Sequence, residues 1–185
     1  MIMRLFVILS AVLLPLIGVA RADQVTDAGV TDLAARVPDD VLAGISLTLK
    51  QAFAAGKEMP APDDLMPAQE ALQWISDRTY VVEPTVAWPS PELVEQRAWS
   101  DCKGKSIWLA DRLLRLGYRD VRIKIGKIPD LSSGHAWVEM TFGGIDYILD
   151  GTYRGKYTII PKDRVTIHSD HKILYTVSPE GYVSG

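Results

Sequence analysis

The chain's one cysteine, Cys102, stands directly after Ser100 and Asp101, two residue types that open helices well. From Cys102 onward, Ser106, Leu109, Leu113 and Leu116 recur at offsets of 4, 7, 11 and 14, one stripe along a helix. Gly117 then falls where a glycine just past a helix end belongs. The thiol is thereby expected in a first helical turn, where unpaired backbone N–H groups and the macrodipole favour negative charge. Lys103 and Lys105 add positive charge close by, and both influences favour a nucleophilic thiolate. Asp101 opposes them unless its carboxylate turns back to cap the helix.

A thiolate that attacks a carbonyl needs a base, and the base needs a partner that orients it. Ala136, Val138, Met140 and Phe142 alternate with His135, Trp137, Glu139 and Thr141, the period of a strand. Gly143-Gly144 suits a tight hairpin turn, and Ile145 to Asp150 is the return strand. With those glycines as the turn, Phe142 faces Ile145, Trp137 faces Asp150 and His135 faces Thr152. Cross-strand partners share a face, so His135 and Asp150 are diagonal neighbours about 7–8 Å apart at the backbone, within reach of imidazole and carboxylate. The apolar set from Ala136 to Phe142 is then the core face. Each residue alone has a blander reading: a small buried thiol, a surface histidine, an aspartate ending a strand. Their joint position, on a helix N-terminus and two arms of one hairpin, favours chemistry.

These elements need a frame. Val41, Ile45, Leu49, Ala52 and Phe53 have helical spacing inside a weakly patterned stretch from Gln24 to Pro60. Met59-Pro60-Ala61-Pro62 breaks the chain. Pro67 to Arg78 is a second helical stretch, with Ala71, Leu72, Trp74 and Ile75 as its apolar side. Tyr80 to Pro91 carries three prolines and must be extended or looped, and Glu92 to Ala98 is a short helix. Past Gly117, Val121, Ile123 and Ile125 alternate with polar residues as a half-buried strand, and two more strands are expected near Tyr157–Ile160 and Ile173–Val177. Helices first and an antiparallel sheet after make an α+β architecture. Trp74, Trp108 and Trp137 read as core, and the Lys and Arg along the strands as a solvated face. His168 and His171 read as an exposed turn rather than a metal site.

The first residues resemble a secretory signal: Arg4, an apolar run from Leu5 to Gly18, and Val19-Ala20-Arg21-Ala22 with cleavage after Ala22. The run falls short of the about 20 residues a membrane span needs. An uncleaved anchor is the competing reading, because Arg21 is unusual so near the cut. Residues 1–22 carry Arg4 and Arg21 and no acid, so their loss moves the net charge from −3 to −5 and leaves 163 of the 185 residues. The expected organisation is a signal peptide at 1–22, a helical segment at 23–62 and a domain at 63–185, located in the periplasm or secreted. No basic block suits a phosphate backbone, so nucleic acid is not an expected partner, nor is a membrane after cleavage. A lone cysteine in an oxidising compartment cannot form an internal disulfide, which leaves an inert thiol, an intermolecular bridge or a nucleophile.

Three blocks together resemble the transglutaminase-like superfamily: Asp101-Cys102 opening a helix that ends at Leu116-Gly117, Gly134-His135-Ala136-Trp137-Val138-Glu139, and Tyr147-Ile148-Leu149-Asp150-Gly151-Thr152. Trp88, Ser90-Pro91-Glu92-Leu93 and the closing Tyr175 to Tyr182 resemble its bacterial transglutaminase-like cysteine proteinases. The resemblance runs from about Met66 to the C-terminus. It implies a papain-like core, in which N-terminal helices and a catalytic helix pack on an antiparallel sheet. It also implies a triad of Cys102, His135 and Asp150 that forms a thioester with a protein or peptide substrate. Hydrolysis, as a protease or amidase, is the leading expectation. Amine transfer on the same triad, a non-catalytic protein- or cell-wall-binding module and a disulfide-linked dimer are its rivals. Gln96, six residues before Cys102, matches the offset of the papain-like oxyanion glutamine, or is a solvated helix residue. Trp99 and Trp137 are candidate walls of a substrate cleft. No cofactor is expected. Some members of the subgroup carry acidic residues just after the cysteine, linked to calcium; Lys103 and Gly104 stand there, so no calcium site is carried over.

Overall fold

The structure is a computed structural model and describes residues 37–127, 134–152, 159–164 and 172–185. The signal-like segment, Tyr157, His168 and His171 lie outside the described residues. Among the described residues, four helices precede the main sheet: α1 (Asp39–Gly56), α2 (Met66–Ser76), α3 (Pro91–Gln96) and α4 (Cys102–Arg115). Two short strands, β1 (Thr79–Tyr80) and β2 (Trp99–Ser100), are interleaved with them and pair in parallel. The described residues that follow form β3 (Val121–Lys127), β4 (Gly134–Phe142), β5 (Ile145–Leu149), β6 (Ile160–Pro161), a 3-10 turn (Lys162–Arg164), β7 (Lys172–Ser178) and β8 (Gly181–Ser184). These strands make one antiparallel sheet in the order β6-β5-β4-β3-β7-β8.

The expected period shifts are present and explain the packing. In α1, Leu42, Ile45, Leu49 and Ala52 are buried at helical spacing, and in α2 Ala68, Ala71, Leu72 and Ile75 are. Burial in α4 runs almost all round, including Ile107, Trp108, Leu109, Ala110, Leu113 and Leu114, as befits a helix enclosed on every side. It is packed by β3 and β4 on one flank and by α1, α2 and α3 on others. Its end is a Schellman motif: Tyr118 N–H donates to the Leu113 carbonyl at 3.1 Å and Gly117 N–H to Leu114 at 3.1 Å. Gly117 has φ +93°, a conformation in which side-chain-bearing residues are strained. α1 lies directly on α4, so residues on both sides of the Met59–Pro62 break share one core.

β4 and β5 pair in the expected register, with Phe142 opposite Ile145 and Val138 opposite Leu149. Ala136, Val138 and Met140 join the core. The opposite face differs from expectation. Glu139 is only 1% exposed and is ringed by Lys162 at 3.0 Å, Arg122 at 3.6 Å and Lys124 at 3.8 Å. Alternation says which way a side chain points, not what lies over it, and long cationic side chains cover this carboxylate. Trp74 also departs from the core assignment. Over a third exposed, it stacks on Trp108 at 4.1 Å and carries the Arg78 guanidinium at 3.2 Å on its ring. β1, β2 and β8 were not legible, being two to four residues long.

Candidate active site

Cys102 is the first residue of α4, and Asp101 is its N-cap. The Asp101 carboxylate turns back as the sequence required: Oδ1 accepts from Gly104 N–H at 3.1 Å. Capping leaves the first-turn field directed at Cys102, which is 8% exposed.

The hairpin supplies the facing side. His135 is the second residue of β4, and Asp150 follows the last residue of β5. The His135 Nε2 lies 2.6 Å from Asp150 Oδ2, with both side chains about 95% buried (5% and 4% exposed). Asp150 Oδ1 accepts from the Thr152 backbone N–H at 2.9 Å and from its hydroxyl at 2.6 Å. Both carboxylate oxygens are therefore held, and the imidazole inherits that fixity. With Nε2 engaged by Asp150, Nδ1 is the nitrogen left to meet the Cys102 thiol, the ring's second partner. The Trp137 ring lies nearly parallel to it (18°) with centroids 6.0 Å apart, and is 2% exposed. Trp137 thus backs the imidazole from inside rather than walling an open cleft.

The electrostatics follow from this arrangement. Burial disfavours charge on His135, but its bonds to Asp150 and to the Cys102 sulfur outweigh burial and raise its pKa to about 10. Burial pushes the Asp150 carboxyl up, and the hydrogen bonds from His135 and Thr152 more than reverse that, leaving it below the ordinary carboxylate value. The two shifts describe one cation–anion pair in a dry setting.

Two contributors were not legible as such. Lys105, one turn after Cys102, is 1% exposed. Its ammonium donates to the carbonyls of Arg78 (2.8 Å), Gly151 (3.0 Å) and Ser76 (3.4 Å). Those bonds tie α4 to the end of α2 and to the residue after Asp150, so Lys105 is a staple between the two halves of the site. Its signal was a lysine on a helix face otherwise given to core. Tyr80 is the second. The β1–β2 pairing sets Tyr80 opposite Ser100, which brings its phenol beside Cys102. Burial, then the negative charge near Cys102 and Asp101, pushes this phenol well above its usual range. Nothing in a Pro-rich segment announces such a contact.

The remaining candidates lie on the outer side. Gln96 is exposed on the last residue of α3. Trp99 is half-buried in β2, with the Arg97 guanidinium 4.8 Å from its ring. Among the described residues, no helix is long and apolar enough to cross a membrane.

No family model matches the chain, and no curated protein does. Solved structures do match. Legionella pneumophila LapG superposes with a TM-score of 0.54 at 20% identity, over 73% of this chain and 75% of that one. A calcium-bound structure of the same protein gives 0.55 at 17% identity, over 83% of each chain. At such identities the likeness is one of fold. The chain shares with these structures an α+β fold, in which a helix opened by Cys102 lies on an antiparallel sheet.

Proposed function

We propose that the chain is an exported thiol hydrolase, a cysteine protease or amidase, that cleaves a protein or peptide substrate through a thioester. The observation that carries this reading is the His135–Asp150 bond of 2.6 Å, buried, with the other face of the imidazole turned to Cys102. Such an arrangement supports a thiolate–imidazolium pair.

In the proposed reaction, Cys102 Sγ attacks the carbonyl carbon and the oxygen takes up the displaced electron pair. The Cys102 backbone N–H is the natural donor to that oxyanion. His135 gives its proton to the leaving amine as the C–N bond breaks, and an acyl thioester remains. The neutral imidazole then takes a proton from water, whose oxygen attacks the thioester. The C–S bond breaks, the acid departs, and the sulfur regains its ion pair. Asp150 stays ionised throughout and holds the imidazole by Nε2.

The test is the pH dependence of Cys102 alkylation by iodoacetamide, in wild type and His135→Ala. Wild type should react rapidly well below pH 8, and the variant should lose that reactivity. Coincident titration of the two proteins refutes the ion pair and returns the fold to a binding role. Product assays with and without a primary amine then separate hydrolysis from amine transfer. A non-reducing gel excludes or reveals a Cys102-linked dimer, and the N-terminal residue of exported protein reports cleavage after Ala22.

A further inference from the structure

The fold relatives bring one ion into view, since a LapG structure is calcium-bound. The first turn of α4 does not fit a divalent metal. Calcium takes about six to eight oxygen ligands. Here the buried Asp101 carboxylate and the Glu83 carbonyl (3.3 Å) both accept from the Lys103 ammonium. Among the described residues, no three His, Cys, Asp or Glu side chains group as metal ligands. Position 104 cannot add one, because a Cβ on Gly104 would collide with Ser100 Oγ and crowd Pro89.

We propose that Lys103 is a built-in cation that makes the cysteine site independent of divalent metal. Asp101 is 1% exposed, and a buried carboxylate demands a compensating charge. Lys103 provides it from the adjoining helical turn. It also fastens Glu83, whose N–H donates to Asp101 Oδ2 at 3.4 Å and whose carboxylate pairs with Arg97 at 2.6 Å. The ammonium therefore joins the N-cap of the cysteine's helix to the segment that leaves Tyr80. Lys103 touches no reacting atom and is a positioning residue. The proposal rests on Cys102 being the reactive nucleophile, but its test needs no substrate.

Calcium is titrated calorimetrically into the full-length protein, and melting temperature and Cys102 alkylation rate are compared in calcium and in EGTA. The wild type should show no binding heat, no change in melting temperature and no change in rate. Lys103→Met should alkylate about tenfold more slowly in both media, the size of one lost charge-assisted hydrogen bond. Lys103→Asp sets a second carboxylate beside Asp101, so it should be slow in EGTA and recover in calcium, with a higher melting temperature. Calcium binding by wild type, or wild-type alkylation by Lys103→Met, overturns the proposal. So does a folded Lys103→Asp protein indifferent to calcium. Loss of the His135 effect on alkylation would instead overturn the functional reading, so the two failures are separable.

Discussion

The site has two unlike sides. On the sheet side, His135, Trp137 and Asp150 are 5%, 2% and 8% exposed, and every polar atom of the Asp150 carboxylate is bonded. On the loop side, Tyr80, Val81 and Val82 are 41%, 43% and 58% exposed, and the strand that carries Tyr80 pairs over two residues. The difference teaches a division of labour. Proton handling benefits from a dry and rigid setting, where a bond between imidazole and carboxylate is strong and costs no reorganisation. In the proposed reaction a polymeric substrate would need an accessible flank, and the exposed Tyr80–Val82 side is where one would be.

The largest effect should come from removing the thiol or the sheet-side imidazole that faces it. Cys102→Ala or His135→Ala should lower kcat for peptide hydrolysis by at least about 10³-fold, with the fold retained by circular dichroism. Asp150→Asn should cost about 10²–10⁴-fold in kcat and move the alkaline limb of the pH–rate profile. That limb should fall near pH 10 in wild type, as His135 loses its proton, and shift toward neutral pH in the variant, which lacks the carboxylate that sustains the imidazolium.

Stability separates the two sides next. Lys105→Met orphans the carbonyls of Ser76, Arg78 and Gly151 and should cost about 3 kcal/mol in urea unfolding. The His135 pKa is raised from 6.5 to about 10, so its contribution is full below pH 6.5 and lost as pH rises through about 10. Asp150 is depressed, so its contribution is present above the ordinary carboxylate value of 3.8 and lost as pH falls through its folded value. Urea midpoints should therefore drop on both flanks, and His135→Gln should flatten the alkaline one. The smallest effects belong to the loop side. Trp99→Ala should change stability within about 0.5 kcal/mol and act on KM more than kcat. An equal loss of kcat there would abolish the contrast.

Legibility followed the same boundary. The α4 stripe, its N-cap aspartate and its terminal glycine are local signals, and the structure carries all three as read. The His135–Asp150 approach was equally legible, because two turn glycines set the register and parity then fixes the faces. Tyr80 was not legible, since its place depends on a parallel pairing between segments separated by α3. The covered Glu139 and the half-exposed Trp74 were misjudged for a related reason: periodicity assigns a face without naming its neighbour.

By itself the sequence determined what depends on neighbours along the chain. It set the helix that begins at Cys102, the hairpin that carries His135 to Asp150, and the order of helices before sheet. Only the tertiary structure decided what meets across the chain: which atoms the Lys105 ammonium reaches, what lies against the thiol, and that Lys103 bridges Asp101 to Glu83. Turn chemistry and side-chain periodicity act over a few residues, whereas these contacts close long loops through the packing of α4 against everything around it.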